Sequence, residues 1–485
     1  MYDVYGLLID NRWVKASSGA TLTVNSPVTG LPVGEIPAAT PQDVEAALAA
    51  AARGFDAWRE VAAWDRARVL RRAADLMRDR VETIARLIST ETGKPLAEAR
   101  AETLAAADQF EWYGEEAKRI YGQTIPGRHG RERLSVIYQP VGVCVALSAW
   151  NFPALLPARK IAAALAAGCS VIARPASEAP GACLAMGAAL LDAGLVSGAL
   201  TILTGSARPI SEQLIASPLV RKVSLTGSVP VGKQILEQCA RGVKKVTMEL
   251  GGHAPVIVHG DVDPEAAARK LAGTKFRNAG QVCISPSRFY VHESIRERFE
   301  ASFAEHARGV VVGDGLQPGV TMGPLIRERA LETALELVED ARARGARLLT
   351  GGKRPAGLNA GHFLEATVLA EVPDDARIMC DEPFAPIAPI AGFTDLDDVL
   401  ARANGTPFGL ASYVFTNNAD LAATTAERLE AGMVGINETL LATAEAPFGG
   451  LKESGFGREG GALGIKDYLE PKYIRHRLTV EGARS

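Results

Sequence analysis

From residue 141 to 250, short apolar runs alternate with stretches of helical period, and no other feature restricts the fold as much. The runs at 141–147, 170–173, 200–203, 222–225 and 246–250 are predicted strands, and 154–166, 182–191, 210–216 and 231–239 are predicted helices. Strands separated by helices of this length pair in parallel through right-handed crossovers. Sheets of this α/β class bind ligands beyond the carboxyl ends of their strands. A second α/β stretch runs from about 254 to 468. Ahead of the first strand, Thr40-Pro41 opens a helix as cap and first-turn proline, and long helical patterns follow at about 65–92 and 95–118. Their rows of Arg and Glu read as solvated faces.

At 485 residues the chain exceeds what one hydrophobic core supports, so two or three domains are expected. A net charge of -3 leaves no electrostatic footprint for nucleic acid or an anionic membrane. The longest apolar runs, near 141–150 and 161–171, fall short of the roughly 20 residues that cross a bilayer. Met1-Tyr2-Asp3-Val4-Tyr5 lacks the basic start and apolar core of a secretory signal. The cysteines are scattered with no C-x-x-C pair, and the histidines with no metal-ligand spacing. A reduced, cytoplasmic protein without a metal is the expectation.

One cysteine stands apart. Cys283 lies in Phe276-Arg277-Asn278-Ala279-Gly280-Gln281-Val282-Cys283-Ile284-Ser285, where Gly280 frees the backbone to bend around the sulfur. Earlier, Met248-Glu249-Leu250-Gly251-Gly252 sets a carboxylate on a Gly-Gly turn, free to swing toward a neighbour. Together they suggest a covalent sulfur nucleophile and a base that activates water. Gly227-Ser228-Val229-Pro230-Val231-Gly232-Lys233-Gln234 almost spells a phosphate-binding P-loop, and a nucleotide triphosphatase is the alternative from another class. Against it, Gln234 stands where a hydroxyl should ligate magnesium, and Pro230 removes a backbone donor.

In combination and in order, these motifs resemble those of the aldehyde dehydrogenases. Ala149-Trp150-Asn151-Phe152-Pro153 resembles the family's Pro-Trp-Asn-Phe-Pro, and Leu225-Thr226-Gly227-Ser228 its Phe-Thr-Gly-Ser. Asp381-Glu382-Pro383-Phe384-Ala385-Pro386 resembles Glu-Pro-Phe-Gly-Pro, and Pro447–Gly461 its C-terminal signature, which shapes the substrate tunnel. The resemblance implies Cys283 as nucleophile, Glu249 as the water-activating base, and Asn151 with the Cys283 backbone N–H as the oxyanion hole. It implies a nicotinamide dinucleotide held by Trp150, Arg174, Ser177, Gly227, Ser228, Leu250, Glu382 and Phe384. It also implies an aldehyde dehydrogenase-like fold: a Rossmann-type dinucleotide-binding domain (1–118 and 140–252) and a catalytic α/β domain (253–467). Alternating polar and apolar residues at 131–138 and 472–480 suggest a β arm (119–139 and 468–485) covered by another subunit, as in a homodimer or homotetramer.

Arg174 stands where the family usually has Lys, and Ser177 where NAD-selective enzymes place a Glu that repels a 2′-phosphate. A cationic fork beside a small hydroxyl suits a phosphate, which favours NADP over NAD; Arg174 replacing Lys as a plain ribose ligand leaves NAD admitted. Within the family the chain looks most like succinate-semialdehyde and α-ketoglutaric semialdehyde dehydrogenases. That likeness implies Arg159, Arg277, Ser285 and Thr443 around a substrate's distal carboxylate. A general aliphatic or aromatic aldehyde, with the arginines paired to protein carboxylates, is the other reading. Ser285 also excludes a redox switch with a cysteine at that position.

Overall fold

The computed structural model describes residues 2–478, so the predicted arm beyond Leu478 lies outside it. The first sheet has eight strands in the order Arg12–Val14, Leu7–Ile9, Leu200–Ile202, Ser170–Arg174, Val143–Leu147, Val220–Thr226, Lys245–Glu249 and Gly455–Phe456. Its five central strands are parallel. Val143–Leu147, Ser170–Arg174 and Leu200–Ile202 are wholly buried, mostly apolar runs, as a sheet covered by helices on both faces requires. Sequence order reverses between Val143–Leu147 and Val220–Thr226, and a ligand crevice opens beyond such a switch point.

All the predicted strands and helices of this region are present, shifted at their ends by a few residues. Leu155–Ala167 is the most telling helix. Every residue in it is buried, including Arg159 and Lys160. A helix apolar on all sides belongs inside, so the two charges within it need a partner or a ligand.

Leu250, Gly251, Gly252 and His253 alone separate the first sheet from the second. The second has seven strands, ordered Arg347–Thr350, Thr367–Ala370, Ile387–Phe393, Pro286–His292, Ala254–Val258, Ala411–Phe415 and Met433–Ile436. All but the first pair run parallel. One apolar core fills the space around this sheet, and two others pack the faces of the first. Near its end the chain returns to the first sheet, where Gly455–Phe456 pairs antiparallel with Met248 and Glu249. The whole is an α/β architecture of two open, mostly parallel sheets joined by a four-residue link.

A third sheet joins Leu469–Arg477, Glu132–Pro140 and Gln123–Pro126 in antiparallel register. It leaves Tyr121, Ile125, Ile137, Tyr138, Tyr473 and Ile474 exposed. Two helical expectations need correction. The pattern at 65–92 is two helices, Ala63–Asp79 and Val81–Thr92, because Arg80 leaves helical geometry and its guanidinium turns to Asp192. The acidic row of Leu96–Glu116 is not all solvated, since Glu102 is fully buried and Glu98 partly so.

Candidate active site

The loop that carries Cys283 is strained. After the helix Pro264–Lys275, Asn278, Ala279 and Gly280 adopt successive left-handed conformations, with φ of 48°, 53° and 71°. A non-glycine residue in that region costs on the order of 1–3 kcal/mol and persists only where its surroundings impose it. Here they do. The Asn278 N–H donates to Glu98 (2.9 Å), and its side-chain amide donates to the carbonyls of Asn151 and Gln281 (both 3.1 Å). Gln281 is held at both ends of its amide by Pro324 and Ile326. A Cβ on Gly280 would lie 2.2 Å from the Ala385 carbonyl oxygen, so only glycine fits.

Asn151 follows the strand Val143–Leu147 and is buried. Its amide donates one N–H to the Gln281 carbonyl (3.1 Å), two residues before Cys283, which leaves the second N–H free. Glu249 ends Lys245–Glu249, one strand further on beyond Val220–Thr226, and is buried with neither carboxylate oxygen hydrogen-bonded. Its two glycine neighbours act through closeness rather than by letting the carboxylate swing. A Cβ on Gly251 would meet Glu382 Oε2 at 2.6 Å, and one on Gly252 would meet the Cys283 carbonyl at 2.5 Å. The Gly252 N–H donates to Glu382 (3.0 Å). Cys283, Glu249 and Glu382 are thus gathered where the two sheets meet.

Burial pushes the Cys283 thiol up to about 12, with Glu382 and Glu249 adding to the rise and Arg159 opposing it. Glu249 is held well above the usual carboxylate range, first by burial and then by Glu459. Lys160, Arg159 and Arg458 pull it back. Glu459 is itself tied to Lys160 at 2.5 Å, and Lys160 also donates to Thr226 (2.6 Å). Glu382 is raised to about 7 by burial, against the Gly252 N–H and Lys275. Such opposed environments are typical of sites that move protons.

Cys283 lies on the wall of a cavity of about 420 Å³, a size common for small ligands. Phe152, Leu155, Leu156, Val282, Leu440 and Phe448 make it mostly apolar, and Arg159, Arg277 and Glu98 supply charge. Arg159 is 2% exposed, and its guanidinium lies 4.0 Å over the Phe448 ring, yet Nε and Nη2 have no hydrogen-bond partner. Arg277 is half-buried, 5.3 Å over the Phe152 ring, with Glu98 near enough to feel its charge. Ser285 and Thr443, expected beside the substrate, are not part of the lining. Ser285 turns inward, toward the Pro286 carbonyl (3.4 Å) and Lys275 (3.5 Å).

The switch-point crevice suits a dinucleotide. Gly227 and Ser228 follow the strand Val220–Thr226, and the helix Val229–Ala240 opens at Ser228 with no side-chain cap, its first N–H groups available to an anion. At the end of the strand Ser170–Arg174, the Arg174 guanidinium donates to Ser177 (2.6 Å) and the Gly205 carbonyl (2.8 Å). Its buried Nε has no partner, and burial lowers its pKa to about 10. A buried guanidinium with an unused donor calls for an anion. Trp150 and Phe384 meet edge to face at 5.8 Å, and Phe384 sits at φ 42°. Leu250 packs against Gly232 at the start of that helix. Among the described residues no cluster of His, Cys, Asp or Glu could hold a metal ion.

Lys94, Glu98 and Glu102 were not foreseen as part of the site. The signal for them was faint: Glu98 and Glu102 share one face of a helix whose acidic rows resemble any solvated surface.

Residues 13–474 match the model of the aldehyde dehydrogenase family. The chain is 44% identical over 467 residues to the succinate-semialdehyde dehydrogenase (NADP(+)) of Escherichia coli (strain K12), covering 96% of each. It is 46% identical over 466 residues to the 3-sulfolactaldehyde dehydrogenase of Pseudomonas putida, again covering 96% of each. A crystal structure of an E. coli NADP-dependent enzyme superposes with a TM-score of 0.96 at 43% identity, covering 98% of this chain and 99% of that one.

Because burial holds the Cys283 thiol protonated at neutral pH, its alkylation in the cofactor-free protein should be slow there. The rate of inactivation by iodoacetamide should rise about tenfold per pH unit from pH 7 to 9, since only the thiolate reacts. A plateau near pH 7 would show a thiol already ionised.

Proposed function

This chain belongs to the aldehyde dehydrogenase family, and from that premise we propose that it oxidises a semialdehyde with a distal anionic group to the diacid, succinate semialdehyde being the first candidate. The observation that carries the substrate is Arg159. Arg159 lines an apolar cavity and keeps two buried, unpaired guanidinium nitrogens, Nε and Nη2, which is costly unless an anion meets them. The two relatives above are named for aldehydes with a carboxylate and with a sulfonate, both anions such a fork accepts.

In the mechanism we assign, the aldehyde enters the cavity with its anion on Arg159 and its carbonyl carbon at the Cys283 sulfur. The thiol gives up its proton to solvent, the sulfur attacks the carbonyl carbon, and the free N–H of Asn151, with the Cys283 backbone N–H, holds the oxyanion of the resulting thiohemiacetal. A nicotinamide held in the crevice, with its ribose at Glu382, would supply the acceptor for the hydride that leaves that carbon. A thioester on Cys283 remains. Glu249, its oxygens unengaged within the chain, takes the proton from a water that attacks this thioester, and the acid departs. Its raised pKa places the base nearer the working pH than an ordinary carboxylate would be.

For the dinucleotide we assign Ser228 and the helix it opens to the pyrophosphate, Glu382 to the nicotinamide ribose, and Trp150, Gly227, Leu250 and Phe384 to the walls. Arg174 with Ser177 faces the adenine ribose, and we favour NADP. The name of the E. coli relative and the unused Arg174 donor support that choice. The exposed apolar residues on the two faces of the third sheet fit burial by a second copy, in a homodimer or homotetramer, and six free cysteines fit a reducing cytoplasm.

Replacing Arg159 by Leu should lower kcat/KM for succinate semialdehyde by about 2–5 kcal/mol, the range for stranding a buried charge partner. A neutral aldehyde of similar length should lose little. Arg277→Leu should cost less, because Glu98 already balances part of its charge. Equal losses on charged and neutral aldehydes would make Arg159 structural. Ser177→Glu should reduce kcat/KM with NADP at least about tenfold more than with NAD, through repulsion of the 2′-phosphate. Equal effects would remove Ser177 from the adenine ribose.

A further inference from the structure

Lys94 and Glu102 form an ion pair in the interior, their side chains 1% and 0% exposed. The desolvation of two buried charges can exceed their mutual attraction, so stability alone is a weak reason for such a pair. What the pair grips is more informative. Lys94 Nζ donates to Glu102 and to the backbone carbonyl of Asn151 (2.8 Å), and it sits 4.1 Å over the ring of Phe152. Glu102 Oε1 accepts from the backbone N–H groups of Ala154 (2.8 Å) and Leu155 (3.3 Å), where the helix Leu155–Ala167 begins without a side-chain cap of its own. The pair therefore holds the segment from Asn151 to Leu155 at both ends.

Lys94 is itself anchored to the part of the chain that holds the Cys283 loop. Gly93, at φ 73°, packs so closely that a Cβ there would lie 2.4 Å from the Pro324 ring. The carbonyl of Pro324 accepts from Gln281 (3.2 Å), and the carbonyl of Gln281 accepts from the Asn151 side-chain amide. Lys94, Asn151, Gln281 and Pro324 close a ring that ties the end of the strand Val143–Leu147 to the nucleophile's loop.

We propose that Lys94, with Glu102 as its counterion, is a positioning residue for the oxyanion donor Asn151, fixing the segment so that the free amide N–H meets the oxygen of the aldehyde on Cys283. It rests on the assignment of Asn151 to the oxyanion given above. Lys94 touches neither substrate nor cofactor and acts through Asn151 alone. Its removal leaves the Asn151 carbonyl to the Asn278 amide alone (3.1 Å) and strips Glu102, which holds the Ala154 N–H, of its counterion. The free N–H of Asn151 then loses its fixed aim while the crevice that holds the dinucleotide is undisturbed.

A double-mutant cycle on Lys94→Met and Asn151→Ala tests this, reading the single-turnover rate of reduced-cofactor formation. Met keeps the packing over Phe152 and removes the donor. Lys94→Met should slow that rate by on the order of tenfold or more, with dinucleotide affinity within about twofold of the parent, and should slow it no more than about twofold further in the Asn151→Ala background. The same loss in both backgrounds, or an unchanged rate in Lys94→Met, overturns the proposal. A parent rate in Asn151→Ala alone instead overturns the assignment of Asn151. Should Lys94→Met not fold, Lys94→Met with Glu102→Gln keeps the acceptor for Ala154 and Leu155 and is judged in the same cycle.

Discussion

Everything at the site depends on how closely two backbones approach at Gly251 and Gly252. Four residues carry the chain from the last parallel strand of the first sheet to the first strand of the second. In that interval one glycine makes room for the Glu382 carboxylate and the other for the Cys283 carbonyl. A side chain at either position would drive the sheets apart. The base at the end of one sheet, the nucleophile's loop on the other and the Glu382 loop are neighbours only because neither glycine has a Cβ.

That closeness also explains why the site is crowded with buried charge. Lys94, Glu102, Arg159, Lys160, Glu249, Lys275, Glu382 and Glu459 all lie at or near the seam, where water is scarce, and burial shifts Lys94, Glu249, Lys275 and Glu382 toward their neutral forms. Some are compensated directly, as Lys160 is by Glu459 and Lys94 by Glu102. Glu249 and the inner donors of Arg159 are not. An uncompensated buried group is expensive to keep, and a water for the base and an anion for the arginine are the simplest partners.

Much of this was legible in the sequence, for physical reasons. Buried parallel strands read as short apolar runs, so the first sheet stood out, whereas its switch point rests on a strand order that only the structure gives. Cys283, Glu249, Asn151 and Glu382 were found through short motifs whose flanking Gly, Pro and aromatic residues are themselves demanded by tight packing. Other parts were hidden. Nothing local distinguishes Glu102, which is buried, from the acidic residues that share its helix and face water. Ser285 was expected beside the substrate through the likeness to semialdehyde dehydrogenases, but its hydroxyl turns to the Pro286 carbonyl and Lys275. The break at Arg80 has no proline or glycine to announce it. Long-range contacts decide these features, and periodicity does not record them.

The division of labour between Cys283 and Glu249 is the central claim, and one measurement reaches it directly. Glu249→Gln, mixed with succinate semialdehyde and excess NADP, should give a single rapid turnover of reduced cofactor and then stop. Intact-mass analysis should find the acyl group retained, and peptide mapping should place it on Cys283. Steady turnover at the parent rate with no trapped acyl group would contradict both roles, and the absence of even a first turnover would mean that Glu249 is needed to activate the thiol as well.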